Sequence, residues 1–385
     1  MNPTGVFDEL VGQDEARRIL GAAARGTGMT HAWLFTGPPG SGRSTAAVAF
    51  AAALQCPDGG CGECHACRTV LGGTHPDLTR VIPEGLTLGV DQVRRLILEA
   101  SRAPTSASWQ VLIIEDADRL TEAAANALLK AVEEPPARTV FLLCAPSINP
   151  AEISVTIRSR CRVMSLRQPP VGAIADLLVK RDGLERREAE LYAAAAQGHV
   201  GRARRLATDA EARAKRHDVL QIPRRLTGLG ACFTAAVELI EAAEAEASGT
   251  YTDRSASERE ALETALGKGG TGKGASKAAR GSAAAIKELE KRQKTRDTRA
   301  QRDSLDRALV DLAAFYRDAL AAGFGARVDP IHPDMAETTR AAAGRLSAES
   351  LLRRIDAILD CRRAIEFNVR PRIAVEAMMT RLWQA

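Results

Sequence analysis

The sequence lacks an apolar run long enough to cross a membrane. Its longest uninterrupted apolar stretch, Ala46 to Leu54, has nine residues, whereas a membrane-spanning helix needs about 18. The first ten residues contain Asp8 and Glu9 and lack the basic-then-apolar pattern of a secretory signal. We therefore expect a soluble cytoplasmic protein, and 385 residues with 45% hydrophobic content suffice for two or three domains.

The chain also has no excess of charge outside one segment. Its formal net charge is +5, and the 14 basic and 9 acidic residues between Thr250 and Val310 account for all of it. From about residue 246 to 302 the composition shifts to Gly, Ser, Lys and Arg, with almost no large apolar residues. We expect a disordered or loosely helical low-complexity insertion here. The basic excess therefore says little about what the folded domains bind.

The first part of the chain alternates apolar and amphipathic segments, as a parallel α/β sheet requires. Amphipathic helices are predicted over Val90–Ala100 and Ala123–Glu133. Residues 1–166 are therefore predicted to form a three-layer α/β nucleotide-binding domain with a parallel sheet. The predicted buried strands are 32–36, 78–82, 111–115, 140–144 and 162–166.

The strands stop after Pro169-Pro170, and helical patterns take over. Three short helices, predicted over 171–180, 185–197 and 200–214, would form a small lid at residues 167–214. The remaining residues, 215–385, have helical periodicity and are rich in Ala, Leu and charged residues. We expect them to form an all-helical third domain that contains the basic insertion.

A glycine-rich loop follows the first predicted strand and precedes a helix. Residues 37–44 read GPPGSGRS and fit the pattern G-x-x-x-x-G-[KR]-S, in which backbone N–H groups hold phosphates. A glycine turn without a ligand is the alternative interpretation. Arg43 stands where a phosphate-binding lysine is expected, and its planar guanidinium is not equivalent to an ammonium. We expect a relic or weak site for ATP or ADP. Its phosphate-loop residues are Gly37, Gly40, Gly42, Arg43, Ser44 and Thr45.

Two further departures weaken the predicted nucleotide site. Glu115-Asp116 follows the third predicted strand, where the usual order is Asp then Glu for holding Mg²⁺ and activating water. The reversed order would displace each carboxylate by about one methylene, enough to spoil in-line geometry. Ala145-Pro146 occupies the place of a polar γ-phosphate sensor. A second glycine-rich tract, 267–274, ends in Gly274 instead of Ser or Thr, and we treat it as linker.

Four cysteines lie within twelve residues: Cys56, Cys61, Cys64 and Cys67. Four thiolates can close a tetrahedral shell around a structural Zn²⁺, and the intervening glycines allow the tight turns that this needs. Paired disulfides are disfavoured in a reducing cytoplasm, while the spacing leaves an iron–sulfur cluster open as an alternative. His65 and His75 are expected to be bystanders, because four cysteines already suffice.

An arginine on a loop before the fifth strand has two interpretations. The segment is Ile157-Arg158-Ser159-Arg160-Cys161. Either arginine can be a solvated surface charge. The other interpretation is an arginine finger that reaches the ATP site of a neighbouring subunit, an effect worth about 10³ to 10⁵ in rate. Composition does not decide between them.

Taken together, the motifs resemble the AAA+ clamp-loader family of bacterial DNA polymerase III. The similarity covers about residues 6–206 and returns near the C-terminus. In the family's order, the motifs are Val11-Gly12-Gln13, residues 31–37 (HAWLFTG), the cysteine cluster, His75-Pro76-Asp77, residues 91–94 (DQVR), residues 126–130 (NALLK) with Glu133-Glu134-Pro135, Ser159-Arg160-Cys161, and residues 368–372 (NVRPR) with Glu376.

Within that family, three features favour a subunit that does not hydrolyse ATP over the ATP-hydrolysing gamma/tau subunit. They are Arg43, the order Glu115-Asp116, and Gly201, which stands where gamma-like proteins would place a second-sensor arginine. Arg202 lies one residue from that position. The resemblance implies an AAA+ domain, a lid and a helical collar that assembles with gamma/tau and delta subunits.

The resemblance also implies a task and leaves two alternatives. The assembled ring would open a sliding clamp and place it on primed DNA, and Arg160 would serve as the finger for the adjacent gamma/tau site. An ATP-hydrolysing gamma/tau-like subunit is the first alternative. The second is a zinc-containing DNA-binding protein whose basic insertion grips phosphates.

Overall fold

A computed structural model describes residues 5–105, 108–265 and 275–385, in two compact units. The first unit ends at Thr208 and the second is Asp209–Ala385. The glycine tract 267–274, interpreted above as linker, lies outside the described residues. Among the helices that the structure describes, none combines the length and the apolar character needed to cross a membrane.

The first unit is built on a five-stranded parallel sheet with the order β2-β3-β4-β1-β5. Every residue of the central strands is buried, whereas the edge strands β2 and β5 are largely accessible. All five predicted strands are present, and their ends differ by at most one residue. Their bounds are β1 Ala32–Thr36, β2 Leu78–Val81, β3 Gln110–Ile114, β4 Thr139–Ala145 and β5 Arg162–Ser165.

Helices cover both faces of this sheet, which confirms the predicted three-layer α/β fold. Alternate residues of β1 face opposite layers: Trp33 and Phe35 pack with Phe50 in one core, and Leu34 packs with Leu128 in the other. This is the period of two expected of a strand buried on both faces. The helices are α1 Asp14–Ala24, α2 Arg43–Gln55, α3 His65–Leu71, α4 Val90–Ala100, α5 Glu122–Glu133 and α6 Val155–Arg160.

Three further helices form a small bundle at the end of the first unit: α7 Val171–Asp182, α8 Arg186–Ala195 and α9 Val200–Thr208. They share a core that includes Ile174 and Leu178. The prediction that the third helix continues to residue 214 is wrong. Asp209 caps a new helix instead, because its carboxylate accepts hydrogen bonds from the N–H groups of Glu211 and Ala212.

In the residues that the structure describes, the regular structure of the second unit is helical, as predicted. Its core joins residues from five of its helices, among them Leu220, Leu309, Phe315, Ile358 and Met379. The helices are α10 Ala210–Arg225, α11 Leu229–Ala265, α12 Ala275–Gly323, α13 Ala336–Arg345, α14 Ala348–Glu366 and α15 Pro371–Gln384.

The described part of the basic insertion is helical, so the disordered alternative is wrong for those residues. The C-terminal part of α11 and the N-terminal part of α12 lie side by side, and ion pairs join them. The Arg296 guanidinium donates to both carboxylate oxygens of Glu258, at 2.9 and 3.0 Å, and lies 5.0 Å from the centre of the Tyr251 ring. Arg259 pairs with Glu290 at 3.1 Å. Composition missed this pairing because charged side chains take the place of large apolar ones.

We predict that Arg296→Ala weakens this helix pair more than Arg259→Ala does. The Arg296 side chain is 6% exposed, and its loss takes two charge-assisted hydrogen bonds from Glu258, which keeps its bonds to Arg254 and Gln293; this should cost about 1.5–3 kcal/mol. The half-exposed pair of Arg259 should cost under about 1 kcal/mol. Hydrogen exchange of amides 251–263 measures both, and equal protection in the two variants would contradict the assignment.

The same pair should respond to acid. Hydrogen bonds from Arg296 lower the pKa of Glu258 from 4.5 to about 2. A carboxyl group whose pKa is lowered on folding stabilises the folded state above its unfolded pKa. Amide protection over 251–263 should therefore fall as the pH drops from 4.5 towards 2 in the wild type. It should fall less in Glu258→Gln.

Candidate nucleotide site and metal centre

The glycine-rich loop connects β1 to α2 and is closely covered by its surroundings. Gly40 and Gly42 have φ values of 84° and 90°, in the left-handed region that favours glycine. A Cβ atom on Gly40 would lie 2.5 Å from the Cα atom of His199, so the lid touches the loop directly. The N–H of Gly37 donates to the carbonyl of Pro146 at 3.1 Å. The backbone carbonyl of Pro146, at the position predicted for a γ-phosphate sensor, therefore bonds the glycine-rich loop.

Arg43 turns back onto its own loop. Its Nη1 atom donates to the carbonyl oxygen of Gly37 at 2.7 Å. This residue begins α2, and Gly42 is the N-cap. The guanidinium therefore bonds the first residue of the phosphate loop, at the place where a phosphate-binding lysine was expected.

Glu115 is the centre of the site's polar contacts. It follows β3 directly, and its side chain is 12% exposed. Ser44 Oγ donates to Glu115 Oε2 at 2.7 Å, and Arg80 Nε donates to Glu115 Oε1 at 2.5 Å. In phosphate-loop enzymes the equivalent hydroxyl and carboxylate both serve Mg²⁺. In this chain the Ser44 hydroxyl and the Glu115 carboxylate bond each other, and the Arg80 guanidinium is the cation beside that carboxylate.

The other acidic residues of this segment are arranged differently. Asp116 has a φ of 48°, and its Oδ2 lies 3.7 Å from Arg119 Nε. Burial, with the nearby negative charge of Asp116, raises the pKa of Asp118. Within the described part of the chain, Asp118 Oδ1 is buried without a hydrogen-bond partner. Motif reasoning singled out Asp116 and gave no role to Asp118.

Gln13 ties the loop to the start of the lid. Its side-chain amide donates to the carbonyl of Ser41 at 3.2 Å and to that of Arg167 at 2.5 Å. Its Oε1 atom accepts from the N–H of Arg167 at 3.2 Å. The glutamine of the Val11-Gly12-Gln13 motif therefore fixes the loop and the lid to each other through protein contacts alone.

The four predicted cysteines meet in one cluster. Cys56 Sγ lies 3.6 Å from Cys61 Sγ and 3.7 Å from Cys64 Sγ, and all four sulfur atoms lie within 4.8 Å of one another. Four sulfurs about 2.3 Å from a tetrahedral metal would be about 3.8 Å apart. The cluster therefore fits a single metal ion. Neither histidine joins it among the described residues.

The local backbone supports metal binding by these thiols. Cys64 caps α3, and its sulfur accepts from the N–H of Cys67 at 3.4 Å. Burial would raise the pKa of Cys56, but N–H groups of Cys61, Gly60 and Asp58 bond its sulfur, and the net effect lowers that pKa to about 7. Burial raises the pKa of Cys67, whose side chain packs in the core. Deprotonation of the buried Cys67 thus calls for a compensating charge.

Arg160 is the last residue of α6 and forms an ion pair. Its Nη2 atom lies 2.5 Å from Glu133 Oε1, and its Nη1 atom donates to the Thr156 carbonyl at 2.9 Å. The two charged side chains are 34% and 44% exposed. Arg158 bonds the Ile148 carbonyl instead, at 3.2 Å. Sequence reasoning quoted Glu133 in a motif but did not connect it to Arg160.

The first part of the chain is similar to subunits of DNA polymerase III. Residues 12–170 match the family model described as DNA polymerase III, delta subunit. The tau subunit of DNA polymerase III from Bacillus subtilis is 34% identical over 201 residues, which cover 50% of this chain and 35% of that protein. The delta' subunit from Yersinia pestis is 40% identical over 151 residues, 38% of this chain and 44% of that protein.

The matched regions are partial. The chain spans less than half the length of either relative. Among solved structures, a gamma subunit-related protein of DNA polymerase III from Thermotoga maritima aligns over 95% of this chain and 98% of its own. Its TM-score is 0.45 at 15% sequence identity, so it adds nothing to the assignment.

The geometry predicts how nucleotide affinity responds to substitution. Arg43→Lys combined with Arg80→Ala should bind Mg-ATP at least about tenfold more tightly than the wild type, because it restores the loop cation and frees Glu115. Arg43→Lys combined with Arg95→Ala, which removes an exposed arginine of α4, is the control and should gain less. Isothermal titration measures all three proteins. If the wild type binds Mg-ATP tightly, the contacts of Arg43, Ser44 and Arg80 do not block the site, and this interpretation is wrong.

Proposed function

We propose that this chain, whose residues 12–170 match the family model described as DNA polymerase III, delta subunit, is the delta prime subunit of a bacterial clamp loader. In this role it works as a stator in the cytoplasm: it assembles with gamma/tau and delta subunits that load a sliding clamp onto primed DNA. The observation that carries the proposal is the contact of Ser44 and Arg80 with Glu115. These contacts support a subunit that does not hydrolyse ATP itself and that helps to position a neighbouring chain which does.

The physical reason is competition for the same groups. Mg²⁺ binding at this site would have to break the bond from Ser44 to Glu115 and compete with the Arg80 cation beside the same carboxylate. Phosphate binding would also have to draw Arg43 away from the Gly37 carbonyl. Each exchange loses a charge-assisted hydrogen bond, worth about 1.5–3 kcal/mol. Together they disfavour ATP binding and hydrolysis in this subunit.

The trans-acting group in this proposal is Arg160. Its present partner, Glu133, is half-exposed, and such surface pairs contribute only about 0–1 kcal/mol. The guanidinium can therefore exchange that carboxylate for phosphate oxygens of a neighbouring subunit at small cost. An arginine supplied in this way stabilises the charge that develops during phosphoryl transfer.

A gamma/tau-like ATPase is the second candidate function. It is favoured by the Bacillus subtilis tau subunit, whose similarity extends over 201 residues. Arg43 and the Glu115 contacts argue against it. Steady ATP hydrolysis by the purified chain that is lost in Arg43→Ala would decide for this candidate.

The cysteine cluster is proposed to hold a structural Zn²⁺. Cys56, Cys61, Cys64 and Cys67 would fill all four tetrahedral positions, which leaves none open for catalysis. The cluster joins α2 to α3, and the Gly60 carbonyl accepts from the N–H of Val6 at 3.0 Å. Zinc would thus anchor the loop against the beginning of the chain.

We predict one zinc ion per chain in purified protein, and clearly less in Cys64→Ser. Structural zinc sites with four cysteines contribute about 10–16 kcal/mol of binding free energy, so metal loss should also lower the thermal midpoint. Cys232→Ala, which changes a buried cysteine of the second unit, serves as the control for metal content. Elemental analysis measures zinc and iron together; iron in place of zinc would overturn the proposal.

We predict that Arg160→Ala removes most of the clamp-dependent ATP turnover of a loader reconstituted with gamma/tau and delta. The loss of one such arginine costs about 10³ to 10⁵ in rate at the site it serves. Arg158→Ala is the matched control on the same helix and should leave turnover close to wild type. Subunit composition is checked by gel filtration. Intact Arg160→Ala complexes with unchanged turnover would rule out the finger.

A further inference from the structure

The helix pair formed by α11 and α12 continues beyond the hydrophobic core of the second unit. That core includes Ala243 on α11 and Leu305 on α12, and among the described residues none of its members lies between these two. Gln301 bonds Glu244, and Arg302 bonds Asn368, at 2.9 and 3.0 Å. Past these contacts, Arg259, Gln293 and Arg296 form side-chain bonds that join the two helices to each other, and Arg254 bonds Glu258 within α11. We call residues 251–265 and 285–300 the helical arm.

The inward side of the helical arm is occupied by polar contacts between the helices. Arg296 bonds Glu258 and Ser255, Gln293 bonds the Ser255 carbonyl, and Glu290 bonds Arg259. These contacts show that the face of α12 that carries Glu290, Gln293 and Arg296 packs against α11. They also use the acidic side chains Glu258 and Glu290, which are then unavailable to other cations.

A row of lysines lies on the other side of α12. Lys287, Lys291 and Lys294 are all exposed, and within the described part of the chain none has an ion-pair partner. At 3.6 residues per turn, the three occupy an arc of about 60°, and Arg296 lies about 180° from Lys287. Glu288 and Asp297 lie to either side of the arc. The lysine row is therefore a continuous positive edge that points away from α11.

We propose that the lysine row binds the phosphate backbone of double-stranded nucleic acid. The row rises about 10 Å along α12, which corresponds to about three phosphates of one duplex strand. From 285 to 302 the helix has seven basic and three acidic residues, a net charge of +4. Because lysine acts as a point charge, this edge supplies backbone contacts without base readout. The proposal is independent of the function proposed for the first unit.

The side chains of the described helical arm favour a duplex over a protein or a single strand as its partner. Protein interfaces depend on buried aromatic or aliphatic anchors, and single-strand binders stack bases on aromatic rings. Over the described residues of the helical arm, the one aromatic side chain is Tyr251, which is covered by Arg296. An edge of lysines without aromatic side chains fits a regular array of phosphates.

The test measures the salt dependence of binding by the full chain to a labelled 30-base-pair duplex of random sequence. The triple variant Lys287→Gln, Lys291→Gln, Lys294→Gln removes the row. The control variant Arg95→Gln, Lys180→Gln, Arg187→Gln removes the same charge from exposed positions of the first unit. Circular dichroism checks that both variants keep their helix content.

We expect the slope of log K against log salt to become less negative by about 2–3 in the lysine-row variant, since each phosphate contact contributes about 0.9. The control variant should keep the wild-type slope. Equal slopes in all three proteins would overturn the proposal. Stronger binding to phosphatidylserine vesicles, to polyglutamate or to single-stranded DNA than to the duplex would also overturn it, in favour of a membrane, an acidic protein or an unpaired strand.

Discussion

The carboxylate of Glu115 is the constraint on which the nucleotide end of the sheet depends. It is almost buried at the end of a central strand, so it needs partners, and it has two: the Ser44 hydroxyl and the Arg80 guanidinium. In the proposed function, these contacts keep both groups from serving Mg²⁺ or nucleotide. The loop before Ser44 is closed in the same way, because Arg43 bonds the Gly37 carbonyl. The P-loop fold is kept while its binding groups satisfy one another.

The same principle extends to the rest of the first unit. Gln13 joins the loop to the start of the lid, and His199 lies against Gly40, so direct contacts connect the lid to the loop. In AAA+ motors the lid and the loop respond to the nucleotide between them. Contacts of this kind between lid and loop are consistent with the proposed stator role, in which this unit keeps one geometry.

The sequence predicted the features that depend on local pattern. The buried strands are continuous apolar runs, and the cysteines lie within twelve residues, so both were recognisable. Contacts between distant residues were not: Arg80 and Glu115 are 35 positions apart, and nothing in the loop motif indicates Arg80. Asp209 was missed as a helix start because a single cap interrupts an otherwise continuous helical pattern. The helical arm was missed because low apolar content was taken to indicate disorder.

The central claim is that this chain holds a nucleotide-motor fold without being the motor. The most direct measurement is steady-state ATP turnover by the purified chain alone, compared with the same amount of chain in a complex with gamma/tau and delta. The account predicts no turnover above background for the chain alone and clamp-dependent turnover in the complex. Brisk hydrolysis by the isolated chain, abolished by Ser44→Ala, would contradict it.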